Sequence, residues 1–231
     1  MKTLILIPAY NEAESIEHVV DNITNNFPQY DYVVVNDGSS DGTRKICKER
    51  GYNLLDLPAN LGLAGAIKSG MKYANFCQYD RVVQIDGDGQ HDPQYIADML
   101  EMMDRDDCDI VIGSRFVSKK KNLSMRMFGN NLIEFLILIT TGKKITDPTS
   151  GMRLFNKKMI KKFGYNTNYG PEPDTLAFLI NSGVRVGEVQ VEMKEREFGT
   201  SYLSFTRSVL YMMHMVYGIL IFQWFRRKDK R

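Results

Sequence analysis

At 231 residues the chain is long enough for one sizeable α/β domain with a real core, and short for two. Its formal charge is +2, which gives no electrostatic case for nucleic acid as a partner. Three widely spaced cysteines, Cys47, Cys77 and Cys108, exclude a zinc pattern or a disulfide framework and fit a reducing, cytosolic setting.

Apolar runs alternate with helical patterns through the first half. Residues 4–7 read as a buried strand ended by Pro8, and Met1-Lys2-Thr3 before it lacks the length of a signal peptide. Residues 12–23 carry apolar side chains at helical spacing, with Asn11 available as a cap. Residues 32–35 form a second strand, followed by the turn Asn36-Asp37-Gly38-Ser39. Residues 42–50 read as helix, 53–57 as strand, 63–73 as helix and 81–85 as a fourth strand. A polar turn, a helix after Pro93 and a fifth strand at 110–112 continue the rhythm. This alternation predicts an α/β fold, a mostly parallel central sheet flanked by helices, whose ligands bind at the carboxyl ends of the strands. Past Ser114 the pattern changes. Residues 125–140 are a long apolar helix bracketed by lysines, and 147–155 a loop leading into a short strand. A further helix follows at 173–182, then two strand-like runs within 184–193. Residues 208–225 are almost uncharged and end in a basic tail, Arg226, Arg227, Lys228, Lys230 and Arg231.

The turns at the strand ends carry the chemistry. After the fourth strand comes Asp86-Gly87-Asp88-Gly89-Gln90. Two carboxylates one residue apart can share a divalent cation, and the glycines let a phosphate approach the backbone. An ordinary solvated Asp-Gly turn explains the same residues equally well. In the turn after the second strand Asp37 could accept hydrogen bonds from a base or ribose, but a turn plus a helix cap at Asp41 or Thr43 is the simpler reading. The first strand ends in Pro8-Ala9-Tyr10-Asn11-Glu12, where a dinucleotide fold would place Gly-x-Gly-x-x-Gly, and no P-loop occurs. Any nucleotide binding must therefore use carboxylates, a metal and arginines rather than a glycine cradle. His91 is either a neighbour of that metal or packing at a helix start.

In order and spacing, Pro8-Ala9-Tyr10-Asn11-Glu12, Asn36-Asp37-Gly38-Ser39, Asn60-Leu61-Gly62-Leu63 and Asp86-Gly87-Asp88-Gly89-Gln90 resemble family 2 glycosyltransferases of GT-A fold, over residues 3–201. Gly113-Ser114-Arg115, Arg126, Asp147-Pro148-Thr149-Ser150-Gly151-Met152-Arg153 and Arg196-x-x-Gly199-x-Ser201 are similar to the polyprenyl-phosphate branch, the dolichyl-phosphate mannose synthases and the enzymes that glycosylate undecaprenyl phosphate. The resemblance implies that Pro8, Tyr10, Glu12 and Asp37 hold the nucleoside, and that Gly65, Asp86 and Gly87 also line the nucleotide-sugar site. It implies that Asp86, Asp88 and Gln90 bind Mg²⁺ or Mn²⁺, and that Asp88, Arg115, Arg126 and Arg196 serve catalysis, the arginines by holding phosphates. Tyr202 departs from the pattern, because the branch often has lysine there.

The reaction expected is inverting transfer of a sugar from a uridine diphosphate donor, glucose or N-acetylglucosamine, to undecaprenyl phosphate for cell-envelope glycan synthesis. Alternatives are guanosine diphosphate mannose as donor, a hydroxyl acceptor with Glu172 or Asp174 as base, a nucleotidylyltransferase, or an inactive GT-A scaffold module. Glu172 and Asp174 equally suit the start of the following helix. A lipid acceptor gives the apolar stretches a second reading besides core helices, namely helices lying in a membrane interface beside basic clusters such as Lys119, Lys120 and Lys121. The expected organisation is a GT-A catalytic domain over 1–205 and a membrane-associating helix with basic tail over 206–231. Such an enzyme is peripheral or monotopic on the cytoplasmic face of the plasma membrane, helped by a small membrane partner or by homo-oligomerisation.

Overall fold

β1 (Thr3–Ala9) shows why the sheet forms where it does. Leu4 and Leu6 point into one core, Ile5 and Ile7 into the other, and all four are fully buried. A strand covered on both faces needs a continuous apolar run rather than an alternating one. The computed structural model of the chain describes residues 1–119, 125–166, 169–194 and 212–222. Within them α1 (Ile16–Asn26), β2 (Asp31–Asn36), α2 (Thr43–Glu49), β3 (Leu54–Asp56), α3 (Gly62–Phe76) and β4 (Arg81–Gln84) follow in turn. A 3₁₀ turn at Pro93–Tyr95 opens α4 (Ile96–Arg105), and β5 (Ile110–Ser114) and α5 (Met125–Thr141) come next. β6 (Arg153–Asn156), α6 (Lys157–Tyr165), α7 (Pro173–Asn181) and β7 (Val186–Gln190) follow.

The seven strands lie in the order β3-β2-β1-β4-β6-β5-β7. All pairings are parallel except those of β6, which runs antiparallel between β4 and β5. Its first residue, Arg153, is therefore opposite Gln84, the last residue of β4. This reversal brings the loop before β6 to the carboxyl edge of the parallel strands. α1 and α4 bury their apolar stripes on one face of the sheet; α3, α5, α6 and α7 cover the other. α3 crosses close over β1 at Gly70, where a Cβ would overlap the Leu6 side chain.

The expected mostly parallel α/β sheet is present, with local differences. α1 starts at Ile16, not at residue 12, and Asn11 is not its cap. Asn11 adopts the left-handed conformation (φ 56°) and accepts the Ser40 amide proton at 2.9 Å, so it fastens one turn to another. The 184–193 stretch yields one strand, plus an isolated bridge between His91 and Met193. α6 has no counterpart among the expected elements; its N-cap is Asn156, whose side chain accepts the Met159 amide proton at 3.0 Å. Of the apolar stretch 208–225, residues 212–222 are described. Residues 212–217 are α-helical and Gly218–Phe222 form a π-helical turn, packed on α5 and α7. The expected domain boundary at 205/206 lies outside the described residues, and no helix among them is long and apolar enough to cross a membrane.

Candidate active site

Three strand-end turns meet at the carboxyl edge of β1, β2 and β4. The turn after β1 is tied to the turn after β2: the Glu12 amide donates to Thr43 Oγ1 at 2.8 Å, the Asn11 amide to Ser39 Oγ at 3.0 Å, and the Ala13 amide to Asp41 Oδ2 at 3.1 Å. Asp37, almost wholly buried, accepts the Leu61 amide proton at 2.7 Å, which draws the start of α3 to the same edge. Gly38 is required there. Its φ is +64°, and a Cβ would come within 2.5 Å of the Ala59 carbonyl carbon. Gly65 stands in the first turn of α3, where a Cβ would overlap the Leu61 side chain. Buried Ser15 joins the turn after β1 to the turn after β4, its Oγ 2.8 Å from the Gly87 carbonyl and 2.9 Å from Glu12 Oε2. One hydroxyl proton serves one of these at a time. At Gly87 a Cβ would be 3.2 Å from the Pro8 carbonyl oxygen, so the two turns touch.

Within the Asp86–Gln90 turn, the Asp86 amide donates to His91 Nδ1 at 3.0 Å, and Gln84 Nε2 donates to Asp86 Oδ1 at 3.3 Å. The Gln90 amide donates to Asp88 Oδ1 at 3.1 Å. His91 Nδ1 is also 3.7 Å from Asp86 Oδ2. That spacing is not an ion pair, because a nitrogen that accepts an amide proton has no proton of its own to offer; the ring is the neutral tautomer with its proton on Nε2. His91 is thus next to the Asp86 carboxylate, and it holds the turn through the backbone. Gly151, from the loop before β6, closes over this turn: a Cβ on it would lie 2.5 Å from Asp86 Oδ2 and 3.0 Å from His91 Cε1.

The loop before β6 is held from three sides. Arg115, just past β5, grips Asp147 with both prongs, Nε to Oδ2 at 2.7 Å and Nη2 to Oδ1 at 2.9 Å. Asp147 is 0% exposed in its side chain, so the pair is strongly desolvated on that side. Glu188 on β7 accepts the amide protons of Thr146 and Asp147 at 2.9 and 3.0 Å. Asn130 on α5 donates to the Thr146 carbonyl at 3.3 Å and accepts from the Thr149 hydroxyl at 3.2 Å. Arg153 is buried, its guanidinium donating to the carbonyls of Ser150 and Pro148.

The structure therefore gathers Pro8, Glu12, Asp37, Gly65, Asp86, Gly87 and Asp88 at one edge. Half-buried Tyr10 lies in the same turn. Gln90 donates its side-chain amide to the Lys194 carbonyl at 3.3 Å, which ties the turn to the segment after β7. Arg115 is close to the same loop, but two of its nitrogens are committed to Asp147. Arg126 belongs to α5, with its side chain outside the described atoms, and Arg196 lies outside the described residues. Asp174 lies in the first turn of α7 and packs against Gly218. Sequence reasoning missed Ser15, Gln84, Asn130 and Glu188. Gln84 is a polar side chain inside an apolar run, a signal that marks burial without saying what the group touches; Ser15, Asn130 and Glu188 have polar or glycine neighbours and carry no such signal. Gln84 Oε1 is the buried side-chain atom without a hydrogen-bond partner among the described residues.

As donors for a metal, the turn offers side-chain oxygens, the carboxylates of Asp86 and Asp88 and the amide oxygen of Gln90. No cluster of three or more His, Cys, Asp or Glu that could hold an ion occurs among the described residues. Hard oxygen donors, few in number, fit Mg²⁺ or Mn²⁺, which complete their shells with water and substrate phosphate. Asp86 and Asp88 fit such an ion.

A family model for glycosyl transferase family 2 matches residues 4–164. The polyprenol monophosphomannose synthase of Mycolicibacterium smegmatis is 29% identical over 220 residues, covering 88% of this chain and 81% of that protein. The UDP-N-acetylglucosamine–dolichyl-phosphate N-acetylglucosaminyltransferase of Methanococcus voltae is 31% identical over 218 residues, covering 84% and 86%. Among solved structures, glucosyl-3-phosphoglycerate synthase from Mycobacterium tuberculosis, in complex with Mn²⁺, UDP-glucose and phosphoglyceric acid, superposes with a TM-score of 0.71 at 15% identity, covering 99% of this chain and 81% of that one. The match over most of the β1–α6 core, the sheet order and the relatives agree: the chain is a glycosyltransferase of GT-A fold and belongs to glycosyl transferase family 2.

Proposed function

We propose that the protein transfers a sugar from a nucleoside diphosphate sugar to a polyprenyl phosphate, with inversion, giving a lipid-phosphate-linked monosaccharide for cell-envelope glycan synthesis. The observation that carries this reading is the convergence of the Asp86–Gln90 turn with the loop 147–151, whose Gly151 abuts the Asp86 carboxylate. One side is suited to a diphosphate and the other belongs to the segment that resembles polyprenyl-phosphate enzymes. The two relatives described above act, by their names, on lipid phosphates. Pro8, Tyr10, Glu12, Asp37 and Gly65 line the nucleoside side. Asp86, Asp88 and Gln90 would hold Mg²⁺ or Mn²⁺, which would supply positive charge to offset that on the departing diphosphate.

A lipid phosphate is largely ionised at neutral pH, its second pKa being about 6. It attacks the anomeric carbon without a strong base, so the protein's task is to orient it and to stabilise charge. Arg126 and Arg196 are assigned to the phosphates, since a guanidinium binds phosphate oxygens in pairs. Arg115 joins them with whatever edge its grip on Asp147 leaves exposed, and that grip places the loop.

The donor we favour is uridine diphosphate glucose or N-acetylglucosamine. A guanosine diphosphate mannose donor is the second reading, favoured by the mannose named in the Mycolicibacterium relative. One incubation tests both: purified protein, Mn²⁺, undecaprenyl phosphate and a panel of nucleotide sugars, with the lipid product read by mass. A single hexose or N-acetylhexosamine added to the lipid phosphate is expected. Asp88→Asn should abolish turnover, because it removes a carboxylate charge from the ion. Near-normal turnover in that variant would remove the metal from this account.

A further inference from the structure

We propose that Ser15 is a positioning residue that couples nucleoside binding at Glu12 to the placement of the metal turn at Gly87. The inference rests on the nucleoside and metal reading given above. Ser15 stands at the N-cap of α1, where a serine ordinarily accepts an amide proton from the first helical turn. This one makes no such bond. Its hydroxyl, on a residue only 2% exposed, reaches three other oxygens instead. The Gly87 carbonyl is 2.8 Å away, Glu12 Oε2 2.9 Å and the Glu12 carbonyl 3.3 Å. Helix capping therefore does not explain this serine. The joint between two turns far apart in sequence does.

The chemistry of the joint makes it responsive. A hydroxyl has one proton, and a carbonyl or an ionised carboxylate has none to give. The Gly87 carbonyl and Glu12 Oε2 therefore compete for the same proton, and the Gly87 side of the joint is buried. A nucleoside hydroxyl or ring N–H that donates to Glu12 satisfies the carboxylate. The Ser15 proton then settles on the Gly87 carbonyl. That carbonyl belongs to the peptide bond entering Asp88, so its direction sets where the second carboxylate of the turn starts. The first carboxylate is held separately, by His91 at the Asp86 amide. Glu12 is close to Gly87 as well: its Cγ would lie 3.5 Å from a Cβ there, and its amide is fixed by Thr43 Oγ1 at 2.8 Å. The nucleoside thus firms the turn for the ion by a route that does not pass through the diphosphate. By reciprocity the ion firms the nucleoside side equally. A plain tether would hold Gly87 alike in the empty and the occupied site.

The test uses the full chain with uridine and, separately, guanosine, because neither has a phosphate that could touch the ion. Nucleoside binding is read by calorimetry and free Mn²⁺ by electron paramagnetic resonance. In wild type, saturating nucleoside should tighten Mn²⁺ binding about fivefold or more. Ser15→Ala and Ser15→Gly should still bind Mn²⁺ but lose that coupling. Ser15→Thr keeps the hydroxyl and should restore most of it. No capping bond is lost in these variants, so their circular dichroism should match wild type. An alanine variant whose Mn²⁺ affinity falls by the same factor with and without nucleoside would make Ser15 a plain tether and overturn the proposal. So would unchanged coupling in the alanine and glycine variants, or a wild type that binds nucleoside and Mn²⁺ independently. Failure of the underlying reading looks different: wild type would then take up neither nucleoside, which sinks the nucleotide-sugar site and the coupling together.

Discussion

His91 acts on Asp86 through the backbone. Its Nδ1 accepts the Asp86 amide proton at 3.0 Å, its ring is buried under Gly151, and Met193 bridges its backbone. The ring therefore sets where the first carboxylate of the turn begins. Residues that hold a metal ligand in place commonly matter about 10–100-fold for metal affinity when replaced. We expect His91→Ala to weaken Mn²⁺ binding in the presence of nucleoside diphosphate by that order, read by electron paramagnetic resonance of free Mn²⁺. His91→Asn places its Oδ1 where Nδ1 sits and should restore most of the affinity. Equal affinity in Ala, Asn and wild type would reduce His91 to packing. Arg115 teaches the converse at the same scale. The family resemblance implies a phosphate ligand, but its fork is closed on the fully buried Asp147, so it acts first as a positioning residue for the loop 147–151.

β6 is the element that makes the site, and it was the hardest to read. β1, β2 and β4 were legible because burial on both faces leaves an uninterrupted apolar run ending in a polar turn. The antiparallel insertion of β6 is a long-range pairing, and a four-residue run carries no sign of direction. α6 had a readable signal: Asn156 followed by apolar Met159, Ile160 and Phe163 is a capped amphipathic helix. Asn11 was misread because asparagine suits both a helix cap and the left-handed conformation. Asp86, Asp88 and Glu12 were legible as a site only through several motifs in order; spacing alone left them an ordinary turn. The direction of β6 has a measurable consequence. It delivers Gly151 within 2.5 Å, at a notional Cβ, of Asp86 Oδ2. Gly151→Ala should push the Asp86 carboxylate off its position. Misplacement near 1 Å at a reacting centre can cost about 100-fold in rate. We expect a drop of that order with a raised Mn²⁺ requirement and a urea midpoint close to wild type. Wild-type turnover at low Mn²⁺ would show that the loop does not constrain Asp86.

At the scale of the whole molecule, the joints between strand-end turns and surface loops are carboxylates, which ties stability to pH. Burial raises the Asp41 pKa, but hydrogen bonds from the Thr43 hydroxyl and amide and the Ala13 amide outweigh it, holding the carboxyl below its ordinary value. Asp56 is also raised by burial and brought down further by Asn36, Lys48 and Arg44. Exposed Asp80, Asp106 and Glu192 are lowered by their hydrogen bonds, to the Lys2 amide and Lys157, to Arg105 and to Lys119 respectively. In every case the folded state binds protons less readily than the unfolded state. Each contribution is therefore complete above the unfolded pKa, 3.8 for the aspartates, and is lost as pH falls through the lower folded value. Urea midpoints should be flat near neutrality and fall below about pH 4. Salt separates the causes. In 1 M NaCl the Debye length is about 3 Å, so the exposed ion pairs fade while the Asp41 hydrogen bonds, made mainly to neutral donors, persist. The midpoint gap between wild type and Asp41→Asn should be widest above pH 5, close as pH falls through about 4, and survive in high salt, because protonated aspartate and asparagine are near equivalents. A gap that stays constant across pH, or vanishes in salt at neutral pH, would mean that Asp41 does not fasten the turn after β1 to α2 in the way its hydrogen bonds indicate.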